Sequence, residues 1–373
     1  MECIAVLGRR EEPTDGVEEY CSYLGQALAA EGINLSCTRV KWAEIGWQAS
    51  RKELSATSSG KQNVFFLLQY TALAWSRKGF SMRAVGVLKL LKKNGARCAV
   101  AFHDPDGYAG NRVIDRVRRS LQRRTMRRLL RLSEVAIFTL ALEKISWLPA
   151  GARNVFYIPV GANLPAPEGA WAAPRNPAGG KPVVAVFSLS DQPIRKHEVS
   201  LIAQAISYAA KQAGPLKVVL MGRNSETGGE ELRAQLLGAP VEVTTLGLIP
   251  AEDVVKALGS ADAMLFPRGS ISTRRGSAIA GIACGLPVIA QDGSEVAPPI
   301  TEAGVALVPE NSPNEFGPVL LRVLTDHAYR ASLAERSRNA QAHYFSWSVI
   351  AKQYAQALRA GEVKPNMEIP QKH

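Results

Sequence analysis

The stretch that most constrains the fold is Phe266 to Ala290, FPRGSISTRRGSAIAGIACGLPVIA. Just ahead of and into it, Asp262 to Phe266 (DAMLF) is an apolar run long enough for one buried strand. Pro267 to Gly276 is dense in Gly, Ser, Thr and Arg, which predicts a loop. From Ser277 the residues become small and apolar, predicting a tightly packed helix that Gly285 ends ahead of Pro287. Val288 to Ala290 then opens another strand. The first N–H groups of such a helix have no intrahelical partner, and its dipole is positive at that end. Arg274 and Arg275 add guanidiniums that can grip an anion in bidentate fashion. With Gly276 and Ser277 at the helix start, the loop is a candidate phosphate site. A plain βα unit with a basic loop would account for the Arg pair taken alone.

Strands and helices alternate along the rest of the chain. The first half offers strands at Cys3–Leu7, Ile33–Val40, Asn63–Gln69, Arg97–Phe102, Val135–Leu140 and Asn154–Ile158, with helices at Val17–Ala30 and Asn111–Leu132. The second half restarts at Val183–Phe187 and continues with strands Lys217–Met221, Val241–Leu246 and Ala306–Val308. Its helices are Val199–Ala210, one ending at Leu258, and amphipathic segments from Asn314 to Leu358. Between the halves, Ala166–Lys181 (APEGAWAAPRNPAGGK) has little pattern and reads as a hinge. At 373 residues the chain suits two domains. The expected division is residues 1–165, a hinge at 166–181, a second domain at 182–345, and a helix and tail at 346–373 that cross back to the first domain. The fold class is α/β, with two doubly wound Rossmann-like domains facing a central cleft. Ligands in such sheets sit at the carboxyl ends of strands. That rule draws attention to His103 and Asp104 at the end of the fourth strand. No GxGxxG follows the first strand, which disfavours a nicotinamide site. A lone His such as His103 is as readily a structural residue satisfied by a nearby carbonyl.

The run ACGLPVIA, with the strand and loop before it, resembles the donor-binding core of the family 4-like glycosyltransferases of the GT-B fold. That family usually shows two glutamates eight residues apart, and the matching positions here are Ser272 and Ala280. The S-x-S-T-R-R-G-S string is similar to a subgroup from bacterial polysaccharide clusters that carries Arg-Arg-Gly in this loop. LLQYTALAWSRKG and PVGANLP resemble other segments of the same group. The resemblance implies a retaining, metal-independent transfer of sugar from a nucleoside-diphosphate sugar to a saccharide or lipid-linked acceptor, in polysaccharide or cell-envelope glycan biosynthesis, with no cofactor and no metal site. It places the acceptor near Gly16, Tyr70 and His103, and the His facing the donor sugar. It aligns Lys196 with the family lysine, with Arg195 beside it, and Ser190 where the family has Arg. Arg274 or Arg275 is then expected to supply the missing charge. Base and ribose should lie against Gly222–Arg223 and Gly247, with Ser277, a backbone group or a displaced acid such as Glu302 on the ribose, and Ser272, at the first glutamate's place, is a further substrate-binding candidate. A non-catalytic GT-B protein acting as a binding or regulatory partner is the alternative, since both glutamates are absent.

The formal net charge of +12 points to an anionic partner without choosing one. Much of it sits in NRVIDRVRRSLQRRTMRRLLRL, Asn111–Leu132. On a helix, Val113, Ile114, Val117, Leu121, Leu129 and Leu132 form a rough apolar stripe, with Arg112, Arg116, Arg119, Arg123, Arg127 and Arg131 mostly opposite. A solvated face over a packed stripe and a helix lying on an anionic membrane both fit; a polyanion-binding module is the third reading. Without aromatic interleaving or a reading module, nucleic acid is not expected. The five cysteines form no CxxC pair or metal-ligand spacing, which suits buried thiols in a reducing compartment. MECIAVLGRR does not develop a signal peptide, and the longest apolar run is too short for a span. A cytoplasmic protein, peripheral at the inner face of the plasma membrane, is the expectation.

Overall fold

A computed structural model describes residues 1–61, 64–107, 110, 112–172 and 180–362. Asn63, Asn111, residues 173–179 of the expected hinge and the tail beyond residue 362 fall outside them. The chain divides into two compact units: Met1–Ile158 with the chain from Ile350 onward, and Pro159–Val349.

The first unit holds a parallel sheet of six strands: β1 (Glu2–Leu7), β2 (Asn34–Arg39), β3 (Phe65–Tyr70), β4 (Arg97–Phe102), β5 (Val135–Phe138) and β6 (Val155–Tyr157), in the order β2-β1-β3-β4-β5-β6. Four helices cross between strands: α1 (Gly16–Ala29), α2 (Trp47–Ser58), α3 (Met82–Lys93) and α4 (Val113–Leu132). β3 is buried along its whole length, FFLLQY, as a strand covered on both faces must be. The core gathers around Phe66, Leu68, Phe102 and Phe138, with Phe102 stacked on Phe138 at 4.6 Å. Sequence reading passes over α2 and α3. α2 buries only Ser50, Leu54 and Ser58, too faint a stripe to announce a helix, whereas α3 carries a sound one in Ala84, Val85, Val87, Leu88 and Leu91.

The second unit repeats the plan with β7 (Val183–Phe187), α5 (Ile194–Ala213), β8 (Leu216–Met221), α6 (Ser225–Gln235), β9 (Val241–Thr245), α7 (Ala251–Gly259), β10 (Ala263–Ser270), α8 (Gly276–Ala283), β11 (Val288–Gln291), β12 (Val305–Val308), α9 (Phe316–Thr325) and α10 (His327–Ala340). Its parallel sheet runs β12-β11-β10-β7-β8-β9. β7 and β10 are locked together by Asp262, which is 2% exposed. Its carboxylate accepts from Val183 N at 2.8 Å, and its own N–H donates to Val183 O at 2.8 Å. The last helix, α11 (Trp347–Ala360), joins the first unit from Ile350: Tyr20 donates to the Tyr354 hydroxyl at 3.0 Å, and Arg97 Nη2 to Gly361 O at 2.6 Å.

Four sequence expectations change. β10 runs on through Ser270 past Pro267, because the strand bulges: Phe266 faces Ala290 and Ser270 faces Gln291, so three residues of β10 go unmatched. α5 begins at Ile194 directly after Pro193, so Arg195 and Lys196 stand in its first turn and not in a loop. The segment Pro167–Ala172, expected in a hinge, is a 3₁₀ helix packed within the second unit, where Trp171 Nε1 donates to Ala283 O at 2.8 Å and Gln341 Nε2 to Glu168 at 2.7 Å. Finally, the apolar stripe foreseen on α4 holds only toward its C-terminal end, where Leu129 is buried and Leu132 packs against the core; Val113, Ile114 and Val117 face solvent, and the other buried positions are Asp115, Gln122, Thr125 and Met126.

Gly304, at the entrance to β12, lets α10 approach the sheet. A Cβ there would collide with the Leu333 carbonyl and Ser337 Oγ. Backbone cannot step aside as a side-chain tip can, so Gly304→Ala should cost about 3 kcal/mol or more, read as a fall in the denaturation midpoint. An unchanged midpoint would show that α10 is not packed this closely.

Candidate functional site

In the second sheet, β7 lies between β8 and β10, and the strand order reverses there. Right-handed crossovers send the flanking helices to opposite faces at such a point, leaving a crevice at the carboxyl ends. Its walls are the loop after β7 and the loop after β10. The β7 loop is held by Glu198, which is buried in the first turns of α5 and 1% exposed. Ser190 donates its N–H to Glu198 Oε2 at 2.8 Å and its hydroxyl to Oε1 at 2.6 Å. Arg268, on the bulged end of β10, brings its Nε to 3.4 Å from Ser190 Oγ. Lys196 is exposed on the first turn of α5, where the helix dipole favours anions.

The two arginines of the next loop separate. Arg274 is bound to Glu295 through Nε at 2.9 Å and Nη2 at 2.5 Å, so its charge is already matched. Burial alone would raise the Glu295 pKa, but Arg274, Ser272 and Arg275 outweigh it and hold the carboxyl below its usual range. Arg274 therefore braces the loop through Glu295. Ser272 is 0% exposed and also lies beside Glu295, so it leaves the set of ligand contacts. Arg275 stays at the N-terminus of α8, half-buried, followed by exposed Gly276 and half-buried Ser277. Arg195 changes role as well, pairing with Glu231 of α6 at 3.2 Å.

Beside the crevice, the exits of β8 and β9 meet where Gly222 N donates to Gly247 O at 2.8 Å. Both glycines have positive φ, 82° and 69°. A Cβ on Gly222 would press on Ser188 Oγ and the Phe187 ring, and one on Gly247 would lie 2.9 Å from Glu226 Oε1. Leu246 and Leu248 flank this platform, 37% and 55% exposed, as apolar surface against which a flat ring can lie. Arg223 is half-buried, and its carbonyl accepts from Leu189 N at 2.9 Å. Glu302 is elsewhere, interacting with Tyr344.

Residues 181–326, which contain this entire crevice, match the family model described as Glycosyl transferases group 1. The chain carries a group 1 glycosyltransferase domain on a GT-B fold. Among solved structures, it resembles a glycosyltransferase from Rickettsia africae (12% identity, TM-score 0.70, covering 97% of this chain and 99% of that one). It also resembles the sucrose-phosphate synthase of Thermosynechococcus elongatus (20% identity, TM-score 0.67, 96% and 98%). A third likeness is to Anabaena HepE solved with UDP and glucose (14% identity, TM-score 0.64, 96% and 100%). At these identities the likenesses establish the fold. No curated protein matches the chain.

In the first unit, the strand order reverses at β1, between β2 and β3. Asp15 caps α1, accepting from Val17 N and Glu18 N at 3.1 Å, and Arg39 binds Asp15 at 3.0 Å. Gly16 is exposed at this capped and neutralised helix start, which suits an uncharged hydroxylated ligand better than an anion. Tyr70 is corrected: it is 1% exposed, with its hydroxyl 2.7 Å from Ser81 Oγ, and belongs to the core. His103 does stand at the end of β4, edge-on to Tyr20 at 5.1 Å, with Nε2 2.7 Å from Gln69 Oε1. Because that oxygen only accepts, Nε2 carries the proton and Nδ1 is the bare acceptor. Burial pulls the His103 pKa down to about 4, so the ring is neutral at pH 7 and is no cation for phosphate.

Sequence reading missed Arg268, Glu198 and Glu226. Arg268 directly follows Pro267, in a stretch that resembles a loop until the bulge is seen. A His whose folded pKa lies below its unfolded value near 6.5 costs stability as pH falls from 6.5 to about 4 and has no such effect above 6.5. The loss should reach up to about 3 kcal/mol. His103→Gln should therefore flatten the fall in melting temperature between pH 7.5 and 4.5; a slope identical to that of the unsubstituted protein would mean the ring stays solvated.

Proposed function

We propose that this glycosyltransferase moves a sugar from a nucleoside-diphosphate donor to a saccharide or lipid-linked acceptor, with retention at the anomeric carbon, without a metal, in polysaccharide or cell-envelope glycan biosynthesis at an anionic membrane surface. The observation that carries the reading is the crevice between β7 and β10. There the N-termini of α5 and α8, Lys196, Arg268 and Arg275 gather positive charge around one opening. Transfer breaks the bond from the anomeric carbon to the diphosphate oxygen, and the electron pair goes to that oxygen. The acceptor hydroxyl oxygen forms the new bond, and its proton leaves with the diphosphate. Fixed cations and helix N–H groups aimed at the leaving group favour the transition state over the ground state.

Arg268 takes the place first assigned to Arg274 and supplies the charge that Ser190 lacks. The Gly222–Gly247 platform receives the base, with Leu246 and Leu248 against its face. Glu226, next to Gly247, is the acid proposed for the ribose hydroxyls in place of Ala280, which is 1% exposed and aliphatic. Gly16 and the bare Nδ1 of neutral His103 offer contacts to sugar hydroxyls. Retention rests on the family resemblance, and the anomeric configuration of the product tests it.

Thermal unfolding with UDP-, GDP-, ADP- and dTDP-sugars, with and without magnesium, tests the donor class. A donor at about 100 times its Kd should stabilise by roughly 2.7 kcal/mol. Arg268→Ala and Arg275→Ala should each lower kcat by about 100-fold, since losing one such donor costs on the order of 3 kcal/mol, while leaving the unliganded melting temperature within about a degree. Full turnover in both variants, or stabilisation only with magnesium, overturns the mechanism.

A further inference from the structure

The surface of α4 has an order along its length that the sequence does not reveal. The helix is held to the first unit by a largely polar inner face: Gln122 Nε2 donates to Gly79 O at 2.9 Å, Thr125 Oγ1 donates to Met82 Sδ at 3.1 Å, and Met126 and Leu129 are buried. Its outer face begins with three apolar side chains, Val113, Ile114 and Val117, 74%, 50% and 47% exposed. It ends with the exposed arginines Arg124, Arg127 and Arg131. Val113 and Arg131 are about 27 Å apart along the axis. Apolar tip and basic shaft thus follow one another on the same outward side.

Neither half is explained by packing. The apolar residues leave about half or more of their surface in solvent, although the helix is already anchored without them. The arginines recur at four-residue spacing (119, 123, 127, 131), where like charges repel and weaken a helix. Arg116, Arg124 and Arg128 have no ion-pair partner among the described residues. Positive charge held against its own repulsion calls for an anionic counterpart. Exposed valine and isoleucine at one end call for an apolar one.

We propose that α4 is the seat of this protein on an anionic lipid bilayer, with Val113, Ile114 and Val117 entering the acyl boundary and the arginines toward the C-terminal end lying among headgroup phosphates. A soluble polyanion would engage the arginines and leave the apolar tip without a role; a bilayer uses both. Among the described residues no helix is long and apolar enough to cross a membrane, so the attachment is by surface. The inference goes beyond the transfer reaction and needs no sugar nucleotide.

Flotation of the full chain with phosphatidylcholine vesicles, with and without phosphatidylglycerol, tests it in the absence of any donor. The unsubstituted protein should float only with the anionic vesicles. The triple variant Val113→Ser, Ile114→Ser, Val117→Ser should bind them about tenfold or more weakly while holding heparin as before. Arg116→Gln, Arg124→Gln, Arg128→Gln should weaken both and reduce the salt dependence. These positions are outside the crevice and exposed except for half-buried Arg128, so unchanged melting temperatures and unchanged donor-induced stabilisation separate a failure here from a failure of the transferase reading. Flotation of the serine variant equal to that of the unsubstituted protein, or retention on heparin without flotation of the latter, overturns the proposal.

Discussion

The placement of β7 between β8 and β10 is the constraint on which the donor half depends. Parallel strands need crossovers, crossovers are right-handed, and so a strand paired on both sides sends its two sets of helices to opposite faces. The gap this opens is unfilled by either set. Asp262 makes the arrangement unambiguous, since its carboxylate and its N–H both bind Val183 and fix β10 against β7. Presented at this gap are the Glu198-clamped loop, the first turns of α5 and α8, and the bulged end of β10.

Electrostatics then sort the cations. A guanidinium with a carboxylate partner contributes order to its loop, whereas one facing the opening contributes field to a ligand. Arg274 and Arg195 are of the first kind, bound to Glu295 and Glu231; Arg268 and Arg275 border the crevice. Half-buried charges in a narrow crevice are poorly screened, so this sorting matters more than the total charge. His103 belongs to the same logic in the other unit. Burial keeps it neutral and turns it into a hydrogen-bond acceptor.

Much of the fold was legible because period and punctuation coincide. Cys3–Leu7, Arg97–Phe102 and Val183–Phe187 are short apolar runs between turn residues, and each is a buried strand. α2 and α6 were not legible. α6 contains Gly228 and Gly229, which ordinarily argue against a helix; they are there because a Cβ would strike Leu189 and Thr245. On α4 the apolar residues were read as the packed stripe because hydrophobicity is the usual sign of burial, but there the buried positions are mainly polar and satisfied by specific hydrogen bonds.

The amino-acid sequence by itself determined the alternation of strand and helix, the two-domain α/β class, the βα unit around Arg274 and Arg275, and the glycosyltransferase resemblance. These rest on local properties: hydrophobic period, glycine and proline placement, and a contiguous motif. Only the tertiary structure decided which arginines are tied to carboxylates, because the partners are distant in the chain, Glu295 for Arg274 and Glu231 for Arg195. It also set Arg268 beside Ser190, 78 residues away in sequence, through the pairing of β10 with β7. And it turned Val113, Ile114 and Val117 outward, since the inner face of α4 is chosen by what the neighbouring loop can bind and not by hydrophobicity alone.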